Sequence, residues 1–364
     1  MFPQEIDFVD EWEFNSLSLK KNEELYTVAW NILERRGFVE KYMIKNKTFA
    51  NFIQHLQYGY NKKRNFFHNF NHGIAVMQSC HMLTKCQKSQ SILKDIDVFT
   101  VIFSGLCHDV GHTGRTNNFE IAVQSKLAIR YHDKSVLEQH HLAQTFKIML
   151  NMKNSNILQN LQMVDFQYIR KQMISNILYT DIKLHFKLKQ DFDLYWKKSD
   201  EKLEEKSALT EQPENIQNRD QYQQQIEILT GMIIHTADFN GAVKKFLFAK
   251  QWSERVNKEF NNQYMEEGVK GIIQTPFMKD LDKTNIMARA EKEFLGVIVL
   301  PLWEILNSFY EGELNHIIGN INESIQEWEK LAAQEEFQTT EKIENLEVIT
   351  EKEETESLKQ IQKQ

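Results

Sequence analysis

Four short stretches of the chain gather side chains that bind metal ions or move protons. The first is His68-Asn69-Phe70-Asn71-His72. The second is CHDVGHTGRTNN, residues 107–118, with His108, Asp109 and His112. The third is VLEQHH, with Glu138, His140 and His141, and the fourth is IIHTADFNG, with His235 and Asp238. In the first two, a pair of histidines sits four residues apart. On a helix that spacing brings both imidazoles to one face, where one ring can hold an object while the other acts on it. The His108-Asp109 pair carries the most weight. It closes an apolar run, where an unpaired charge is costly. A divalent cation satisfies a ring nitrogen and a carboxylate together. Gly111 and Gly114 permit the close backbone turn that such a pocket needs.

Each stretch also has an ordinary reading. A lone HxxxH or His-Asp pair occurs in cores and by chance. Glu138 fits a solvated helix carboxylate, His140 and His141 fit a surface, and Asp238 fits a helix cap. Asn69 and Asn71 read as surface or hydrogen-bonding residues without direct chemistry. What favours a site is convergence, because ligand-type residues recur four times beside apolar helical flanks.

The elements that must position them are helices. The 364 residues include only 13 Gly and 4 Pro, and strong helix formers abound, so an all-α fold is expected. ELYTVAWNILERRGF places Leu25, Val28, Ala29 and Ile32 on one face, with Gly37 set to end the helix. FANFIQHLQYGY repeats the pattern. DIDVFTVIFSGLC, residues 95–107, is apolar all round, as a buried helix would be. NNFEIAVQSKLAIRY and SVLEQHHLAQTFKIML read as two further amphipathic helices, and helical signal runs again from IEILTGMIIHTADF to about Ala333.

A net charge of −7 gives no basic footprint for nucleic acid or an anionic membrane. FLGVIVLPLW, residues 294–303, falls short of the ~18 apolar residues of a membrane span, and Pro301 interrupts it. Three cysteines (Cys80, Cys86, Cys107) without a CxxC read as reduced thiols. The acidic N-terminus has no secretory h-region, so a cytoplasmic location is expected.

In order along the chain, HNxxH, HDxxHxG, LExHH, TDxxxHF (TDIKLHF, residues 180–186) and HxADF resemble the catalytic domain of class I cyclic-nucleotide phosphodiesterases. The lead-in WEFNSLSL and FLGVIVLPLW extend the resemblance over about Glu11 to Ala332. It implies a compact, multi-helix, all-α catalytic domain at 11–332 with a two-metal pocket. Residues 1–10 would be a lead, about 197–225 a polar insertion that is exposed or forms solvated helix ends, and 333–364 a charged tail, disordered for the most part. By resemblance, His72, His108, Asp109 and Asp238 hold a tighter metal, zinc. Asp109 bridges to a second, magnesium or manganese, with His112, Glu138 and Thr180 holding its waters. His68 is the general acid that protonates the leaving 3′ oxygen. Asn117 lies near the substrate, and Phe294 stacks on the purine. The implied reaction is metal-dependent hydrolysis of cAMP or cGMP at the 3′ phosphoester bond, giving the 5′-monophosphate. The cyclic nucleotide is the expected partner, with a homodimer or a regulatory partner left open. Because little precedes Glu11, regulation is expected from partners, oligomerisation, modification or a separate chain.

The sequence departs from the family pattern at several points. Phe67 replaces a tyrosine before the general acid, and Gln139 stands in LEQHH. Gly241 stands where an asparagine often orients the base. Glu291 takes the place of the purine-binding glutamine. An ionised glutamate only accepts hydrogen bonds, so the pocket is expected either to lean toward guanine or to select weakly, unless Glu291 points to solvent. The competing readings are a cyclic-nucleotide-binding protein without turnover, an HD-type hydrolase of another phosphate ester, and a plain helical scaffold.

Overall fold

The computed structural model describes residues 7–197 and 216–333, apart from 20, 62 and 64. Among these residues there are helices and no strands. They run α1 Asn22–Arg35, α2 Phe38–Lys41, α3 Asn46–Asn61, α4 Phe70–Leu83, α5 Gln87–Ile92, α6 Asp95–Cys107, α7 Asn117–Ala122 and α8 Lys126–Tyr131. Then come α9 Val136–Asn151, α10 Met163–Leu178, α11 His185–Phe192, α12 Ile216–Asp238, α13 Phe246–Lys270, α14 Thr284–Phe294, α15 Leu300–Phe309 and α16, residues 315–333.

The organising element is α6. Every residue from Asp97 to Cys107 is buried, in keeping with its all-round apolar sequence. Helices α4, α10 and α12 pack around it. Gly105 lets α4 approach closely, since a Cβ there would lie 3.1 Å from Cys80 Sγ and 3.2 Å from the Val76 carbonyl oxygen. Helix α1 buries the expected stripe and stops at Gly37, which adopts φ +70°. The WEFNSLSL strap is pinned to α4. Gln78 donates to the carbonyls of Val9 and Glu11, and Ser16 and Asn71 exchange side-chain to backbone hydrogen bonds at 2.8 and 2.7 Å.

One expectation changes. Residues 117–131 are not one helix. Gln124 takes φ +50°, and the Ser125 hydroxyl accepts from the Ala128 N–H at 3.1 Å, so a cap starts a second short helix. The polar stretch at 197–225 is helical from Ile216 onward, where α12 begins. Residues 198–215, the tail at 334–364 and residues 1–6 lie outside the described residues. The apolar run at 294–303 passes through a π-helical turn, Leu295–Val299, that joins α14 to α15 without a break, and Pro301 follows that turn. Among the described residues, no helix is long and apolar enough to cross a membrane. The three cysteines are free and buried.

Gly105→Val inserts two methyl groups and a Cβ into the α4–α6 contact. Overpacking of this kind costs roughly 1–3 kcal/mol, so the midpoint of urea unfolding should fall with an unchanged slope.

Candidate active site

Three helix ends meet at one point. His108 caps the C-terminus of α6 and Asp109 follows it, Asp238 is the last residue of α12, and His72 lies in the first turn of α4. The C-termini of α6 and α12 bring unpaired carbonyls and negative potential, a poor place for carboxylates and a good one for a cation. Nε2 of His72 lies 3.1 Å from Nε2 of His108, 3.2 Å from Asp109 Oδ2 and 2.9 Å from Asp238 Oδ1. His108 Nε2 is 3.1 Å from each of the same two carboxylate oxygens. Its Nδ1 is 2.9 Å from the Gly105 carbonyl, which can only accept, so in the neutral ring Nε2 presents a lone pair to the cluster. Ligands of a tetrahedral ion bonded at about 2.0–2.1 Å stand roughly 3.3 Å apart, close to this spacing. The donor set therefore fits a first-row divalent ion. Burial favours the neutral carboxyls, yet the neighbouring imidazoles hold both Asp109 and Asp238 well below the usual range.

Asp109 has a second side. Its Oδ1 faces Nε2 of His141 at 3.5 Å, and His141 Nδ1 donates to the Val110 carbonyl at 3.0 Å. Asp109, His112 and His141 form a second group whose ligand atoms lie within 4.8 Å of one another. His141 is thus buried in the site and not on the surface, while its neighbour His140 is half-buried. The backbone of Asp109 is fixed by its N–H, which donates to Tyr60 Oη at 3.2 Å, and Tyr60 in turn donates to the Leu106 carbonyl.

His68 and His72 do not share a helix. Asn69 is the N-cap of α4, with its side chain accepting from the N–H groups of Asn71 and His72, so the helix begins after His68. His108 and His112 are likewise separated by the end of α6 and by Gly111 at φ +83°. The two separations let His68 and His112 stack instead, with ring centroids 3.8 Å apart and planes 13° apart. His68 Nδ1 lies 2.6 Å from Oε2 of Glu259, whose other oxygen accepts from the backbone N–H groups of Phe67 and His68. Burial disfavours the imidazolium, but the charge and hydrogen bond of Glu259 outweigh it and lift His68 to about 9. Against its own burial, Glu259 is drawn down to about 2, chiefly by the His68 charge. Burial and the His68 charge push His112 well below the usual range. The Gly114 N–H donates to His112 Nδ1 at 3.0 Å. The stack therefore joins a charged ring to a neutral one whose proton sits on Nε2.

Glu138 is buried and accepts both of its Asn117 contacts from one amide nitrogen, at 3.1 and 2.9 Å. Asn117 Oδ1 accepts from the Leu137 N–H at 2.8 Å. Asn117 faces the cavity, but its amide is committed to holding Glu138. Burial, with the Asp181 charge, raises Glu138 to about 7. Thr180 also lines the cavity and donates to the Ile177 carbonyl at 2.7 Å. His235 does not join the cluster. Its Nδ1 donates to the Tyr179 carbonyl, and its Nε2 meets His185 Nδ1 at 3.0 Å. Asp238 is a helix terminus whose carboxylate turns into the cluster, not a cap.

Asp109, Asp238, His68, His112, Glu138 and Thr180 line one end of a cavity of about 570 Å³, with His72 and His108 buried behind the two aspartates, within the size range of small-molecule sites. Phe294, Met278 and Leu281 line the other end with Glu291. Phe294 is half-buried and meets Phe239 edge-on at 5.7 Å. Glu291 does not point to solvent. It is buried, with Oε2 accepting from Ser253 Oγ at 2.9 Å and Oε1 accepting from Asn257 Nδ2. Phe67 packs against Trp252 and His72. A Cβ at Gly241 would fall 2.7 Å from Trp252 Cγ.

Sequence motifs missed Glu259 and left His141 open. Glu259 stands in no motif, and the signal that could have found it is a helix whose buried face is polar. On α13, Ser253, Asn257, Glu259, Gln263 and Glu267 are all buried.

The family described as 3'5'-cyclic nucleotide phosphodiesterase matches residues 67–321. A Caenorhabditis elegans protein named probable 3',5'-cyclic-AMP phosphodiesterase pde-4 is 30% identical over 335 residues, covering 91% of this chain and 47% of its own. A human protein named dual specificity calcium/calmodulin-dependent 3',5'-cyclic nucleotide phosphodiesterase 1C is 28% identical over 319 residues, covering 87% of this chain and 42% of its own. The chain thus spans about half the length, or less, of these relatives. The solved phosphodiesterase domain of the rhodopsin phosphodiesterase of Salpingoeca rosetta matches with a TM-score of 0.81 at 28% identity, covering 92% of this chain and 95% of that one.

Glu259 holds the His68 proton, so Glu259→Gln should lower the pH at which His68 deprotonates from about 9 toward or below its usual 6.5. Imidazole NMR titration reads the change. In the wild type the pair stabilises fully between about 4.5 and 6.5, loses its contribution as pH rises through about 9, and loses it also as pH falls toward about 2. A titration of Glu259→Gln indistinguishable from the wild type would contradict this.

Proposed function

The chain belongs to the 3'5'-cyclic nucleotide phosphodiesterase family, and from that membership we propose that it hydrolyses the 3′ phosphoester bond of a 3',5'-cyclic nucleotide to the 5′-monophosphate. The observation that carries the reading is a cavity lined together by Asp109 and Asp238 of the cation-fitting cluster and by His68, whose Nδ1 is held by Glu259. The names of the relatives, one specifying cAMP and one dual specificity, support the substrate class.

His72, His108, Asp109 and Asp238 would hold the tighter ion, and their mix of imidazole and carboxylate suits zinc. Asp109, through its other oxygen, would share a second ion, magnesium or manganese, with His112, Glu138 and Thr180 placed to hold its waters. When bound, two such ions supply an activated water and neutralise the phosphate. The chain's own residues do the rest. The P–O3′ bond breaks as the water oxygen bonds to phosphorus, and O3′ leaves with a proton from His68. With Nδ1 engaged by Glu259, the proton given is the one on Nε2. Glu259 keeps His68 charged at neutral pH, so the acid is loaded before the substrate arrives. Asn117 orients Glu138 from behind. The apolar end, with Phe294, buries the base and sets the phosphate at the polar end.

His68→Ala should retain both metals and lose roughly two to four orders of magnitude in turnover. Asp109→Ala should lose both metals and activity together. Metal content by emission spectroscopy, with product chromatography from cAMP and cGMP, reads both. Loss of metal in His68→Ala would break the role assignment, and full activity of Asp109→Ala would break the site. Metal-bound wild type that turns over neither nucleotide would replace hydrolysis with binding alone.

A further inference from the structure

Beside Phe294 the cavity carries a polar device whose hydrogen bonding has a fixed polarity. Glu291 and Phe294 lie one helical turn apart on α14 and both face the cavity. Each carboxylate oxygen of Glu291 receives one donor, Ser253 Oγ on Oε2 and Asn257 Nδ2 on Oε1. The Asn257 amide cannot turn round, because the same NH2 group donates to the Ser253 carbonyl at 2.9 Å, and a carbonyl oxygen only accepts. Two donors from two positions on α13 therefore set the plane of the carboxylate and favour its ionised form. Burial works the other way and leaves the carboxyl above its usual range, with the two hydrogen bonds restraining the rise. The lone pairs that remain can accept from donors on a ligand in the cavity.

Purines differ at the edge such a group would read. Guanine presents two adjacent donors, N1–H and the exocyclic N2–H2, which match the two oxygens of a carboxylate. Adenine presents one donor, N6–H2, beside an acceptor, N1, and that acceptor would face an oxygen lone pair. A glutamine carries one donor and one acceptor, so it can meet the N6–H2 and N1 of adenine together, which an ionised carboxylate cannot. Position 241 offers no substitute, since Trp252 fills the space that any side chain there would enter.

We propose that Glu291, clamped by Ser253 and Asn257, selects guanine, so that cGMP is preferred to cAMP. The preference rests on the phosphodiesterase reading for its substrate but not for its geometry. It sets the chain apart from the nematode relative, whose name specifies cAMP.

Binding and turnover test it separately. With metals supplied, dissociation constants for GMP and AMP are measured by calorimetry, and kcat/KM for cGMP and cAMP by product formation. For the wild type, both ratios should favour guanine by roughly tenfold or more, the scale of one bidentate base contact. Glu291→Gln, nearly isosteric, should reduce each ratio at least tenfold, because the amide can serve adenine. Asn257→Leu, which removes one clamp, should move the ratios the same way through weaker guanine binding. Melting temperatures establish which variants are folded. Equal binding of GMP and AMP by the wild type would overturn the proposal and leave hydrolysis standing. So would an unchanged ratio in either folded variant. Guanine-selective binding that Glu291→Gln abolishes, with no turnover of either cyclic nucleotide, would support it and overturn the phosphodiesterase reading instead.

Discussion

The structure depends on four ligand atoms held within about 3 Å of one another at the meeting of three helix ends. Two of those ends are C-termini, so their carbonyls add negative potential to two carboxylates and two imidazole nitrogens. The imidazoles offset part of the carboxylate charge, but charge alone does not bring these groups together. The arrangement exists because α6 is apolar on every side, so α4, α10 and α12 must cover it, and covering it brings their ends together. Folding energy from the core is stored as a strongly cation-seeking point. The same core fixes the backbone of Asp109 through Tyr60, so the position of its carboxylate is set by packing.

A second constraint runs along α13. Its inward face is polar where a bundle helix is ordinarily apolar, and buried polar groups must find partners. They do so across the cavity. Glu259 engages His68, Gln263 accepts from the Thr116 N–H, and Glu267 takes the Thr275 N–H and hydroxyl. Helix α13 therefore joins the wall that carries His68 to the loops that carry Thr116 and Thr275. It does so through directional contacts, which fix angle as well as distance. Ser253 and Asn257 are the members of this row that reach Glu291.

The sequence made the scaffold legible where one physical signal dominated. The bounds of α6 follow from its apolar run, and the end of α1 follows from Gly37. It failed where local side-chain chemistry overrode periodicity. The HxxxH spacing suggested one helical face, but Asn69 caps α4 between the two histidines and sends His68 to stack on His112. Residues 117–131 have helical periodicity throughout, but Ser125 caps and restarts the helix. The metal-type residues could be named because His and Asp beside apolar flanks are conspicuous. Glu259 could not, because a lone glutamate in a charged helix looks solvated until the burial of its neighbours is known.

The two ends of the cavity tolerate change differently. At the metal end each group has several obligations at once. Asp109 faces two imidazoles through one oxygen and a third through the other, so altering it removes a partner from three rings at once. At the base end Glu291 has two partners, and one of them, Ser253, can reverse its hydroxyl to donate or accept. An exchange of glutamine and glutamate there requires only that the hydroxyl turn and the amide of Asn257 keep its place. Gly241 and Trp252 form a similar local trade, with one ring occupying space that a side chain would otherwise fill. Glu291 bonds to Ser253 and Asn257, and Gly241 meets Trp252, so these two departures from the family pattern leave the contacts among the four clustered side chains in place, whereas Phe67 packs directly on His72.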